Sequence, residues 1–193
     1  MLGLKLPTDP RWVNIVEKNI SDILTDHAYC EQKAASYAIS LITKYPEITE
    51  IVDEMTALAR EELDHFKMVH NIIKKRGLVL GKEQRDPYVQ DLMSFIKRGG
   101  NNEMVLVDRL LIAAMIEARS CERFRIISEN IQDPELAKFY YDLMASEARH
   151  YTMFLKLAKK YGVGVDVDKR WKEFLEKEAE IMVNYGKDKT VHG

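Results

Sequence analysis

Two short stretches of this sequence place a glutamate three residues before a histidine. They are Glu62-Leu63-Asp64-His65 and Glu147-Ala148-Arg149-His150. Residues three apart are neighbours on one face of a helix, so each stretch can direct a carboxylate and an imidazole at one metal ion. A single pair of this kind is often a surface carboxylate beside an unrelated histidine. Two pairs in corresponding positions indicate a metal site built from two halves.

The similarity of the two stretches extends beyond the glutamate and the histidine. At equal offsets the first is followed by Phe66, Met68, Lys74, Lys75 and Gly77, and the second by Tyr151, Met153, Lys159, Lys160 and Gly162. This repeat indicates a duplicated helix, each copy of which carries half of the site.

Length and composition favour a single all-α domain. The chain has 193 residues, a formal net charge of -2, and only 9 glycines and 5 prolines. Few helix breakers favour long helices, and this length suits one domain with a sizeable core. We predict one domain over residues 1–193, with a core bundle over about 10–161. Because the charge is near neutral, any surface for a polyanion must be local.

The sequence predicts a cytoplasmic protein that does not enter a membrane. Residues Met1 to Arg11 lack the apolar region of a secretory signal, and no apolar run approaches the roughly eighteen residues of a membrane span. Cys30 and Cys121 form no disulfide framework and fit a reducing compartment as small core residues.

Prolines and glycines divide the chain into long helices. Asp9-Pro10, Asp86-Pro87 and Asp133-Pro134 each place an N-cap before a proline, which is typical of helix starts. The predicted long helices run from about Pro10 to Lys44 with a break near Ser21, from Glu47 to Arg76, from Glu103 to Ile131, from Pro134 to Tyr161, and from Asp168 to Tyr185. The irregular segment from Gly77 to Asn102 then predicts a long crossover between the second and third helices, with a short helix inside it.

Each of the first four long helices carries a glutamate on its apolar stripe. Two lone glutamates and two Glu-x-x-His pairs are the ligand pattern of ferritin-like di-metal bundles. Four buried carboxylates are tolerated only if divalent cations neutralise them, and two added imidazoles give a set suited to iron or manganese. We therefore predict a ferritin-like four-helix bundle with an extra C-terminal helix. Its predicted metal ligands are Glu31, Glu62, His65, Glu117, Glu147 and His150.

Three other residues leave alternatives open. Glu122 competes with Glu117 as the ligand of the third helix, and the apolar periodicity favours Glu117. Glu61 is a solvated neighbour of the second helix stripe. His27 lies one turn before Glu31, where it can orient that glutamate, replace another ligand, or be an ordinary core histidine.

Three stretches carry a family resemblance that covers most of the chain. They are Asp26 to Ser36 (DHAYCEQKAAS), Val107 to Phe124 with its segment IEARSCERF, and Asp133 to His150 with its segments DPELA and ASEARH. In these stretches the sequence resembles the MiaE family of tRNA hydroxylases, which oxidise 2-methylthio-N6-isopentenyladenosine beside the anticodon. The segment IEARSCERF separates this family from ferritins and rubrerythrins, which share the ligand pattern.

The resemblance implies a non-haem di-iron monooxygenase with two iron ions, for which manganese is the alternative metal. The family's metal ligands match the six residues predicted above, and the resemblance implies no catalytic residue beyond them. It implies a tRNA substrate, O2, and an external electron donor such as a reductase or ferredoxin, since the sequence has no flavin, haem or iron-sulfur motif. Basic candidates for phosphate contact are Lys74, Lys75, Arg76, Lys97, Arg98, Lys159 and Lys160.

Other functions are compatible with the ligand pattern alone. One is a ferritin- or rubrerythrin-like iron-binding protein, another a di-iron oxidase of a different small substrate, and a third a structural bundle without metal. We expect a monomer or a small homo-oligomer, whereas a ferritin would assemble into a large shell.

Overall fold

The computed structural model describes residues 2–85, 87–96 and 101–185, which form helices and connecting segments without a strand. After a 3-10 turn at Pro10–Trp12, the helices are α1 (Val13–Lys18), α2 (Ile20–Lys44), α3 (Thr49–Lys75), α4 (Pro87–Met93), α5 (Asn102–Asn130), α6 (Pro134–Tyr161) and α7 (Val167–Tyr185). Within this part of the chain, no helix is both long and apolar enough to span a bilayer. The prediction of an all-α protein is confirmed.

A local cap explains where α6 begins. Asp133 accepts hydrogen bonds from the backbone N–H groups of Glu135 and Leu136 at 3.0 and 3.1 Å, directly before Pro134 at the start of α6. Asp9 instead opens only the short 3-10 turn. The third predicted cap, Asp86, lies outside the described residues.

The predicted break in the first long helix is present, and it lies at Asn19 rather than near Ser21. The residue before α2 therefore separates a short α1 from the long helix that carries the first candidate ligand.

The chain folds as two compact units. The small unit comprises residues 18–85, and the large unit comprises residues 2–17 together with the described residues from 87 to 185. In the small unit α2 packs on α3, and the short connection 45–48 makes the two helices antiparallel. The segment 78–85 lies alongside α2. Tyr29 Oη donates to the Gly81 carbonyl at 3.0 Å, and Lys33 Nζ donates to the Gln84 carbonyl at 3.2 Å.

In the large unit α5 packs against α4, α6 and α7. Almost every residue of α5 between Leu106 and Ile127 is buried, so this helix is enclosed on all sides rather than along one stripe. Gly162 ends α6 where a Cβ atom would lie 2.6 Å from Val107 Cγ2, so a larger residue has no room. Its counterpart in the repeat, Gly77, ends α3 for a different reason, a positive φ of 68°.

The enclosed helix α5 carries a buried group of charges on the face that bears Glu122. Arg119 and Glu178 are each 0% exposed, and Glu122 is 3% exposed. Arg119 donates to Glu178 Oε1 from Nε at 2.9 Å and to Glu122 Oε2 from Nη1 at 3.0 Å. Burial raises the pKa of Glu178, although Arg119 opposes that shift. The guanidinium therefore joins α5 to α7.

The N-terminal segment joins the same group of charges. The backbone N–H and the hydroxyl of Thr8 both donate to Glu122 at 2.8 Å, and Arg119 Nη2 donates to the Leu6 carbonyl at 3.0 Å. The guanidinium of Arg123 lies 4.0 Å from the centre of the Trp12 ring, and burial lowers the pKa of Arg123 to about 10. These contacts hold the N-terminal segment against α5.

We predict that Arg119→Met lowers the free energy of unfolding by about 3–5 kcal/mol, because it removes the cation that donates hydrogen bonds to the buried carboxylates of Glu122 and Glu178. Urea denaturation measures the change. The control is Lys138→Met, which breaks an exposed pair with Asp142 and should cost less than about 1 kcal/mol. Equal losses in the two variants would contradict a structural role for Arg119.

Candidate metal centre

The small unit brings three of the predicted ligands together. Glu31 on α2 is 5% exposed, and Glu62 and His65 on α3 are 1% and 5% exposed. His65 Nδ1 lies 3.2 Å from Glu62 Oε2 and 4.0 Å from Glu31 Oε2. One ligand atom from each of the three residues lies within 4.8 Å of the others. This compact group is called the small half-site below.

The structure also places the neighbour of Glu62. Glu61 is only partly buried, and its Oε1 lies 3.8 Å from His65 Nε2. Of the two consecutive glutamates, Glu62 is the one whose side chain is enclosed, as the apolar stripe of α3 predicts. A helical spacing of seven residues from His65 predicts that Ile72 continues this stripe, and this prediction is wrong, because Ile73 is the residue that is buried.

The large unit carries the remaining three predicted ligands. Glu117 on α5 is 6% exposed, and Glu147 and His150 on α6 are 3% and 4% exposed. His150 Nδ1 lies 3.9 Å from Glu117 Oε2. Glu147 and His150 share one face of α6 because they are three residues apart. These residues are called the large half-site below.

The alternative ligand on α5 has other partners. Glu122 receives hydrogen bonds from Thr8 and Arg119, as described above, so both of its carboxylate oxygens are engaged in the buried group of charges. Glu117 lies near His150 instead. This arrangement favours Glu117 over Glu122 as a candidate ligand.

The donor set of each half-site fits a divalent metal ion. Each half-site offers two carboxylates and one imidazole, and one divalent cation matches the charge of two carboxylates. Buried carboxylates are otherwise expensive, since an isolated ionised group is strongly disfavoured away from water. Oxygen and imidazole donors together suit iron, manganese or zinc more than calcium or magnesium. The two half-sites therefore have the chemistry of a metal centre.

Sequence reasoning left one feature of this site open, the role of His27. The structure places His27 Nε2 at 2.6 Å from Glu31 Oε1, and the side chain is fully buried. Their spacing of four residues was the available signal, but it did not separate an orienting role from a ligand role.

The fold and the donor set define the structural class of the protein. The structure is similar to that of a Synechococcus protein described as "Protein 43 with aldehyde deformylating oxygenase activity", with a TM-score of 0.90, 33% sequence identity, and coverage of 98% of this chain and 95% of that one. The fold is accordingly ferritin-like, as predicted.

The family follows from the sequence. A family model described as "tRNA-(MS[2]IO[6]A)-hydroxylase (MiaE)" matches residues 2–193. A Pseudomonas putida protein named tRNA 2-(methylsulfanyl)-N(6)-isopentenyladenosine(37) hydroxylase is 41% identical over 164 residues, which cover 85% of this chain and 78% of the relative. A Salmonella typhimurium protein of the same name is 27% identical over 98% of this chain and 87% of its own length. The chain therefore belongs to the MiaE family.

We predict that Glu117→Gln lowers the affinity of the metal-free protein for Fe2+ or Mn2+ by at least about tenfold, because it removes one charged donor. Glu122→Gln should instead lower the unfolding free energy and leave metal affinity unchanged. Metal titration and urea denaturation of both variants give the two readouts. A larger loss of metal affinity in Glu122→Gln would identify the wrong ligand on α5.

Proposed function

We propose that this chain is an O2-dependent, non-haem di-iron monooxygenase that hydroxylates the isopentenyl group of 2-methylthio-N6-isopentenyladenosine in tRNA, at the adenosine next to the anticodon. The observation that carries the proposal is the compact small half-site of two carboxylates and one imidazole, together with the buried glutamates and histidine of the large half-site, in a chain of the MiaE family. We further propose that the whole chain acts as one ferritin-like domain.

The six candidate ligands would hold two iron ions, with manganese as the alternative, in the pattern of ferritin-like di-metal proteins. The chemistry that bound iron supplies is the activation of O2. One oxygen atom enters a C–H bond of the prenyl group, and the other leaves as water with two electrons and two protons. No further catalytic residue is proposed, since the side chains contribute ligands, orientation and exclusion of water.

The electrons in this proposal come from a separate donor, a reductase or a ferredoxin. We propose a cytoplasmic monomer or small homo-oligomer, because the tRNA substrate must reach the site. A ferritin-like storage function requires a large shell instead. Gel filtration of the iron-loaded protein distinguishes the two, since a shell elutes far ahead of a monomer or dimer.

A second candidate function is supported by the Synechococcus relative, whose description names aldehyde deformylating oxygenase activity. Its 33% identity and near-complete coverage favour an oxygenase that acts on an aldehyde as the alternative. The same donor set would serve either reaction, so the substrate must be tested directly.

We predict that deleting the gene removes the hydroxylated isopentenyl nucleoside from tRNA in cells that make the precursor, as measured by chromatography and mass spectrometry of tRNA hydrolysates. The wild-type gene should restore the nucleoside, and Glu62→Gln should fail to do so because a buried ligand is lost. An unchanged nucleoside profile after deletion would refute the tRNA substrate. Aldehyde consumption by the purified, iron-loaded protein would then support the second candidate.

Basic helix ends are the proposed contacts for tRNA phosphates. Lys74 and Lys75 are exposed in the last turn of α3. In the last turn of α6, Lys159 pairs with Asp168 at 2.7 Å, and Lys160 Nζ lies 5.6 Å from the centre of the Tyr161 ring. The candidates Lys97 and Arg98 lie outside the described residues.

We predict that combining Lys74→Gln with Lys75→Gln weakens binding of an anticodon stem-loop RNA and flattens the slope of log affinity against log salt by about two, since two phosphate contacts are lost. Fluorescence anisotropy over a salt series measures the slope. Lys172→Gln on α7 changes charge at another exposed position and is the control. Equal slopes for wild type and the double variant would exclude these lysines as phosphate contacts.

A further inference from the structure

A buried hydrogen bond links His27 to a candidate ligand inside the small unit. His27 lies on α2 and is 0% exposed, and Glu31 follows it by four residues, so the two side chains share one face of the helix. His27 Nε2 is 2.6 Å from Glu31 Oε1. An ionised carboxylate can only accept, so in this pair the imidazole N–H donates and Glu31 accepts.

The two oxygens of Glu31 have different neighbours. Oε1 contacts His27, whereas Oε2 lies 4.0 Å from His65 Nδ1, which is itself 3.2 Å from Glu62 Oε2. In the described part of the chain, His27 is not a member of the ligand group that Glu31, Glu62 and His65 form. One oxygen of Glu31 is therefore held by the protein, and the other is directed toward the remaining candidate ligands.

We propose that His27 is a positioning residue of the metal site, which fixes the carboxylate of Glu31 so that Oε2 is presented to the ion. The terminal torsion of a glutamate is broad, so a carboxylate without such a bond samples many orientations. Ordering the carboxylate before the metal arrives lowers the entropy that binding must remove. The proposal rests on the proposed function only in taking Glu31, Glu62 and His65 as metal ligands, and it is independent of the organic substrate.

The hydrogen bond, rather than the volume of the ring, is what the proposal requires. His27→Gln keeps an N–H donor on a side chain that can reach a residue four positions later on a helix. His27→Leu fills the buried space with an apolar side chain and provides no donor. Comparing the two variants separates positioning of Glu31 from packing of the core.

The test is a titration of metal-free protein with Co2+ in competition with a chelator. Visible absorption of the bound Co2+ measures the affinity. His27→Leu should bind Co2+ about 10–100-fold more weakly, the range typical for loss of a hydrogen bond to a metal ligand. His27→Gln should stay within about threefold of wild type, because it retains the donor. Unchanged affinity in His27→Leu overturns the proposal.

A double-variant cycle excludes a merely structural effect. In a Glu31→Ala background, His27→Leu should cause no further loss of Co2+ affinity, since the side chain that His27 positions is gone. An equal loss in both backgrounds would overturn the proposal. If His27→Leu does not fold without metal, as thermal denaturation would reveal, His27→Met replaces it, because methionine adapts to irregular cavities and also lacks a donor.

The outcomes also separate this inference from the proposed function. Normal Co2+ binding with the predicted variant losses, but no hydroxylated tRNA nucleoside in cells, would refute the tRNA substrate and support the role of His27. Unchanged affinity in His27→Leu would refute that role and leave the hydroxylase proposal standing. A wild-type protein that binds no Co2+ would refute both.

Discussion

The cost of placing ionised groups between packed helices is the constraint on which the rest of this structure depends. The chain offsets this cost in two ways. On one part of α5, Arg119 binds both Glu122 and Glu178, and the buried Arg123 interacts with the same two carboxylates, so two cations balance two anions within the protein. At the half-sites the carboxylates are grouped with imidazoles, which carry a positive charge only when protonated. The first arrangement is complete without a ligand, and the second has the donors and charge to accept cations.

Much of the fold was predictable because caps, prolines and glycines mark the helix ends so clearly. The fourth long helix has the bounds expected from Asp133-Pro134 and Gly162, since a cap, a proline and a crowded glycine act locally. Periodicity also placed Glu31 and Glu117 on buried faces, because a polar residue on an apolar stripe stands out. The periodicity misplaced buried residues by one position, as at the end of α3. The stripe drifts around the helix there because the helical period is not an integer.

The remaining features depend on contacts that a periodic pattern does not contain. Arg119 and Glu178 are separated by 59 positions in the sequence, and nothing near either residue indicates the other. The enclosure of α5 on all sides weakens its apparent amphipathicity, so its second buried face was not predicted. His27 is a different case, since its spacing was recognised and only a distance could assign its partner. The substrate came from resemblance to a family, which the ligand geometry does not encode.

The N-terminal segment has a consequence for the order in which the protein can assemble during synthesis. The small unit is drawn from residues 18–85, so α2 and α3 can pair soon after they leave the ribosome. Thr8 is made before either helix, yet its partner Glu122 lies 114 positions later. Thr8 must therefore wait for α5, and closing so long a loop is slow relative to local helix pairing. The half-site at Glu31 can form early, while the segment around Thr8, although made before it, is fixed late.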